Sequence, residues 1–240
     1  MLTRRDFLTT LLAAMVIRGA WSPSEIRPRE DWAEGRPPLV PAQIEEVRFL
    51  LVHHSASSNK HTADEVPAII AGFYDYHTGP SKGWSDVAYN FLVDRFGGVW
   101  EGRAGSLAGP VVADATGGNQ GFSQLVCLIG DFSQEAPTMA ARESLVNVLT
   151  WLAERDGLDL AASSRVSFDS RGSNRWAAGE TVTTATVAGH RDMSLTTCPG
   201  DVLYAYVTGD LWADLEALRR NQGAPTNDRG RRRARGVRAL

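Results

Sequence analysis

Residues 47–55 are largely apolar and β-branched, a pattern that predicts a buried strand with His53 and His54 at its end. Thr62 and Glu65 have capping-box spacing, and Ile69, Ile70, Phe73 and Tyr74 follow at helical intervals. They predict a helix to about His77, with Pro67 early inside it. Residues 87–93 and 99–103 alternate like strands on either side of Phe96, Gly97 and Gly98, which predicts a hairpin. A second buried strand is expected at 125–132. Thr138 then opens a helix whose Leu145, Val148, Leu149 and Leu152 form one apolar stripe, ended by Gly157. Residues 161–179 are rich in Ser, Gly and Asn and read as a loop. Residues 181–188 return as a strand leading into His190, and Leu211, Trp212, Leu215 and Leu218 mark a closing helix. Strands and helices interleave without a repeat, so the expected class is α/β, a mixed central β-sheet flanked by helices.

A chain of 240 residues suits one well-buried domain, and its 43% apolar and 22% charged content is that of an ordinary globular protein. No apolar run is long enough to span a bilayer, which argues against integral membrane association. The ends differ from the body. Thr3, Arg4, Arg5, Asp6, Phe7 and Leu8 form a twin-arginine element before an apolar stretch, so residues 1–22 read as a Tat-type export signal and the protein is expected in the periplasm, cell wall or medium. An attached amphipathic helix is the alternative. Residues 221–240 hold six arginines and one aspartate. Removing them from the formal net charge of −3 leaves −8, so an acidic body carries a basic tail expected to be disordered. That tail suits an anionic polymer, or is simply a solvated end.

Candidate chemistry is concentrated in few residues. The pair His53/His54, then His190, and Cys198 eight residues later stand at the ends of strand-like segments. Two imidazoles and a thiolate suit zinc, and three protein ligands leave a fourth position open, as catalytic sites require. Neighbouring strand residues point to opposite faces, so only one histidine of the pair reaches such a site, but residues 49–52 are apolar on both faces and periodicity does not choose. Cys127 sits within an apolar run and reads as a core residue, whereas Cys198 lies in a polar loop before Pro199 and Gly200.

Longer segments narrow the reading. Leu51-Val52-His53-His54-Ser55-Ala56, the stretch from Gly83 and Trp84 through Tyr89 to Phe91, Glu101-Gly102-Arg103, Ile129-Gly130-Asp131-Phe132, and Gly189-His190-Arg191-Asp192 through Thr196, Cys198 and Gly200 resemble the peptidoglycan recognition protein and type-2 amidase superfamily. The likeness spans roughly residues 26–220, in the family's order, and is similar in particular to bacterial secreted members, including amidase-type phage lysozymes. It implies a Zn2+-dependent N-acetylmuramoyl-L-alanine amidase that cuts the bond between N-acetylmuramic acid and the L-alanine of the stem peptide. His53, His190 and Cys198 are the implied ligands, with Tyr89 and Thr196 as catalytic residues. Gly83, Trp84 and Arg103 are implied to read meso-diaminopimelate, whose extra carboxylate a guanidinium clamps. Asp114 stands where many relatives have a histidine, and near Asn119 the chain carries an extra residue; both join the implied substrate-binding set. The implied partner is peptidoglycan, with no specific nucleic acid, and a monomer is expected. A non-catalytic peptidoglycan-binding module and a zinc peptidase cutting within the stem are the rival readings.

Overall fold

The computed structural model describes residues 21–118 and 120–223. The twin-arginine element, Asn119 and nearly all of the basic tail lie outside the described residues.

A five-stranded sheet in the order β3-β2-β4-β1-β7 organises the chain. Its strands are β1 (Phe49–His54), β2 (Phe91–Val93), β3 (Val99–Glu101), β4 (Ser123–Leu128) and β7 (Val187–Gly189), and only β2 and β3 pair antiparallel. β1 and β4 are buried along their whole length, which explains why their sequences show no polar alternation. The alternation is nevertheless real in space. Leu50 and Val52 face α2 (Met139–Asp156), α4 (Asp201–Thr208) and α5 (Leu211–Asn221), where Leu145, Leu149, Leu203, Leu211 and Leu215 bury them. Phe49 and Leu51 face the opposite layer, packing with Phe168 and Val182 of β5 (Arg165–Asp169) and β6 (Thr181–Ala185), an antiparallel pair outside the main sheet. On that same side, α1 (Val66–Thr78) covers Leu92 and Cys127 through Val66, Ile70 and Tyr74.

Several expected elements are redrawn. Thr62 and Glu65 do form the capping box, but on a short 3-10 turn at Ala63–Glu65; α1 follows, so Pro67 falls in its first turn, where no N–H is needed. The strand expected at 87–93 begins only at Phe91. Ahead of it, the Ala88 amide donates to His77 Nδ1, and the Asn90 side chain bonds to the Leu125 amide and Val111 carbonyl, so ladder groups are replaced by side chains. The expected strand 181–188 splits at Thr186 between two sheets, and the loop 161–179 contains β5. The short α3 (His190–Met193) and α4 were not expected. Among the described residues, no helix is long and apolar enough to cross a membrane.

One buried ion pair ties the lead-in to the sheet. Arg29 Nη2 donates to Asp86 Oδ1 at 2.8 Å and to the Arg36 carbonyl at 2.7 Å, while its guanidinium lies 4.5 Å from the Trp32 ring centroid. Asp86, 1% exposed, also accepts from the Val87 and Ala104 amides. Arg29→Ala would leave this carboxylate buried without its cation, a loss of about 3 kcal/mol or more. For a domain of this size that lowers Tm by roughly 10 °C. Thermal melts should show that drop, whereas Arg36→Ala, which breaks the exposed pair with Asp75 and an exposed bond to the Glu34 carbonyl, should barely move it.

Candidate metal centre

The alternation of β1 sends the two histidines of the pair to opposite faces. His53 follows Phe49 and Leu51 towards the α1 side; His54 turns to the other, where its Nδ1 accepts from the Phe132 amide at 3.3 Å and lies 3.7 Å from Asp131. The neighbouring strand β7 ends at Gly189, so His190 emerges beside His53, and their ring centroids are 4.4 Å apart. Cys198 arrives on the loop after α3. One donor atom from each of His53, His190 and Cys198 lies within 4.8 Å of the others, a cluster gathered at the C-terminal ends of parallel strands.

The donor set fits zinc. Cys198 Sγ lies 3.6 Å from His53 Nδ1. Zinc bond lengths with tetrahedral angles require a sulfur-to-nitrogen edge of roughly 3.5 Å. His53 Nε2, the ring nitrogen that does not face the sulfur, is buried without a hydrogen-bond partner among the described residues. Burial, then the neighbouring His190 and His54, holds His53 well below the usual histidine range. His190 is pushed down to about 4, by burial first and His54 second. Both imidazoles are therefore neutral and able to donate lone pairs. Burial raises the Cys198 thiol to about 12, so it ionises at neutral pH only when a cation compensates.

The loop that carries the sulfur is braced from several directions. The His54 amide donates to Cys198 Sγ at 3.5 Å, and Thr196 Oγ1 accepts from the Cys198 amide at 3.2 Å. Arg191 donates to the Thr197 and Cys198 carbonyls and to Asp201, with its guanidinium over the Tyr204 ring. Asp192 accepts from the Gly189 amide and the Tyr204 hydroxyl. Asn174, on the loop joining β5 and β6, accepts from the Ser194 hydroxyl and the Leu195 amide, while Trp176 Nε1 donates to the Asp192 carbonyl at 2.7 Å. Gly200 has φ +88, and a Cβ there would meet the Phe132 backbone at 2.4 Å, so only glycine lets α4 start this close to the end of β4.

A line of rings leads away from the cluster. Tyr89 lies 5.1 Å from His53, His77 lies 5.6 Å from Tyr89, and Trp84 lies 5.2 Å from His77, all between centroids. Burial, then Cys127 and Cys198, keeps the Tyr89 hydroxyl protonated and thus a donor. His77 was not foreseen as part of this wall, nor was Asn174; a helix-end histidine and an asparagine in a polar loop carry no distinguishing mark in the sequence. Gly83 and Trp84 sit at the rim, with Lys82 Nζ 4.9 Å from the Trp84 centroid. Arg103, implied by the resemblance to read the extra carboxylate, is 9% exposed and bonded to Asp114, Ser85 and the Val87 carbonyl. The Ala104 amide that follows it donates to Asp86 at 2.9 Å.

Several known proteins resemble this chain in sequence and in fold. Residues 43–201 match the family model described as N-acetylmuramoyl-L-alanine amidase. Peptidoglycan recognition protein 1 of Mus musculus is 29% identical over 207 residues, covering 84% of this chain and 94% of that protein. The N-acetylmuramoyl-L-alanine amidase of Homo sapiens is 30% identical over 189 residues, but those cover 75% of this chain and only 27% of the human protein. In structure, wild-type Drosophila PGRP-LB is similar with a TM-score of 0.58 at 20% identity, covering 77% of this chain and 92% of that one. Peptidoglycan recognition protein-LE in complex with tracheal cytotoxin gives 0.59 at 24% identity, with the same coverage of 77% and 92%. At these identities the structural likeness is one of fold.

The ring line has a consequence for acid stability. His77 is held down to about 4, chiefly by burial and further by Lys82 and Arg103. A histidine in the unfolded chain titrates near 6.5 and takes up a proton that folded His77 refuses. Its contribution is whole above about pH 6.5 and is lost as pH falls towards about 4. The urea midpoint should drop between pH 7 and pH 5, and His77→Gln should make that drop smaller; an unchanged drop would place its origin elsewhere.

Proposed function

The chain belongs to the N-acetylmuramoyl-L-alanine amidase family, and on that premise we propose that it hydrolyses the amide bond between N-acetylmuramic acid and the L-alanine of the peptidoglycan stem, using zinc held by His53, His190 and Cys198. The observation that carries this reading is the convergence of those three donors, two of them neutral imidazoles, at one end of the sheet. Zinc bound there supplies a Lewis acid that polarises the scissile carbonyl and activates water near neutral pH.

The chain's own residues do the rest. Tyr89, beside His53, keeps its proton and donates a hydrogen bond where negative charge develops on the carbonyl oxygen. Thr196 uses its oxygen to accept from the Cys198 amide, which leaves its hydroxyl proton available as a secondary donor. The His54 amide steadies the sulfur as a thiolate. His77 fixes the segment that carries Tyr89 by accepting from the Ala88 amide. Wall material lies outside the cytoplasm, so residues 1–22 serve in this reading as a Tat-type export signal and residues 221–240 as a basic tail able to hold anionic wall polymers.

On purified muropeptides, mass spectrometry should find a lactyl-bearing muramic acid and a released stem with a free L-alanine terminus. A cut inside the stem would instead mark a peptidase. Cys198→Ser should reduce hydrolysis to background and lose zinc while still binding muropeptide. Tyr89→Phe should lower kcat by roughly 100-fold or more at unchanged zinc content. Tight binding with no amide cleavage, in protein shown to contain zinc, would mean a recognition module without catalysis.

A further inference from the structure

We propose that the cavity between β6, α4 and α5 is a second binding site, one that takes a sugar carrying a single carboxylate. The site itself is argued from its own wall; the identity of that sugar as the muramic acid freed by amide cleavage rests on the amidase reading.

The space measures about 360 Å³, at the small end of the range for ligand sites. None of His53, His190 and Cys198 lines it, although Asp192 and Met193, just after His190, do. Val182, Val187, Met193 and Val207, each at most 2% exposed, form the apolar part of the wall. Trp176 and Trp212, both partly buried, add ring surface, and Thr183, Thr184 and Thr208 add hydroxyls. A sugar presents the matching mixture, with C–H faces that pack on aromatic rings and hydroxyls that need partners around the edge. The space is too small for a folded segment of another protein, and its hydroxyls would go unpaired against a lipid tail.

Charge decides what the sugar carries. Three ionic side chains line the cavity, Arg165, Arg175 and Asp192, and their formal charges sum to +1. In a chain whose body is acidic, neither guanidinium has a carboxylate partner among the described residues. Arg165 Nη1 donates to the Ala162 and Ser164 carbonyls at 3.0 and 2.8 Å, and Arg175 lies 5.2 Å from the Trp176 ring centroid. Asp192 is already engaged, accepting from the Gly189 amide at 2.8 Å and the Tyr204 hydroxyl at 2.7 Å. The two cations are therefore open to a ligand, and one carboxylate brings the wall to neutrality through charge-assisted N–H donors. A polyanion would instead set its further charges against Asp192. In the proposed reaction, water adds across the amide and leaves a carboxylate on the lactyl group of the sugar and an amine on the stem. Cut glycan thus carries the chemistry this cavity takes, and uncut glycan, whose lactyl group is still an amide, does not.

The test is an NMR titration of the full-length chain with N-acetylmuramic acid, with N-acetylglucosamine, which lacks the lactyl carboxylate, and with dimethyl phosphate, a monoanion without a sugar. The indole N–H signals of Trp176 and Trp212 should shift with N-acetylmuramic acid at concentrations roughly tenfold below those the other two require. Both arginines are exposed, so added salt should shrink that preference. Arg165→Gln combined with Arg175→Gln should erase it, with a thermal melt confirming that the variant is folded, whereas Cys198→Ser should leave it intact. Equal binding of the two sugars overturns the proposal, as does a preference that survives the double substitution. Dimethyl phosphate binding as tightly as N-acetylmuramic acid would mark an anion site that does not read the sugar, and overturns it too. If N-acetylmuramic acid binds here but no muropeptide is ever cleaved, the amidase reading fails and the cavity proposal stands. If muropeptides are cleaved while Trp176 and Trp212 never respond, the reverse is true.

Discussion

Strand β1 is held between two parallel neighbours, and that clamp fixes which side chains each layer of the protein receives. A one-residue slip would send Phe49, Leu51 and His53 into the layer built for Leu50, Val52 and His54. Neither layer would accept the exchange. Phe49 stacks on Phe168 at 5.3 Å, while Leu50 is locked against the α2 side, so the register that buries the core also delivers one imidazole to the cluster. His190 and Cys198 are placed relative to that strand, through β7 and through the His54 amide.

The second theme is charge removed from water and then balanced in place. Arg29 with Asp86 and Arg103 with Asp114 are both drawn into the region between the lead-in, the Trp84 segment and the hairpin. Breaking either by removing one member strands the other. The cluster of His53, His190 and Cys198 follows the opposite rule. Its histidines are kept uncharged and its thiol protonated by burial, so no charge within the cluster balances another.

Much of this was legible in the sequence. The unbroken apolar runs at β1 and β4, the stripe of α2 and the turn at Gly97 announced the mixed sheet and its flanking helices, and the segments around His53, Tyr89, His190 and Cys198 announced the family. Less legible was anything decided by long-range pairing. Thr181 to Ala188 reads as one strand because each residue is β-prone, yet the first part pairs with β5 and the last with β1. The pairing of Arg103 with Asp114, eleven residues on, had no spacing rule to reveal it. His53 could not be told from His54 by periodicity, since both faces of a central parallel strand are apolar.

The β5–β6 pair lies outside the main sheet, yet its connecting loop carries Asn174 and Trp176, which hold the turn between His190 and Cys198. Two of the three cluster donors thus flank a bend whose shape is kept by an appendage. Lengthening or trimming that appendage would loosen the bend without touching a donor, so its geometry helps to set how far the sulfur sits from the imidazoles.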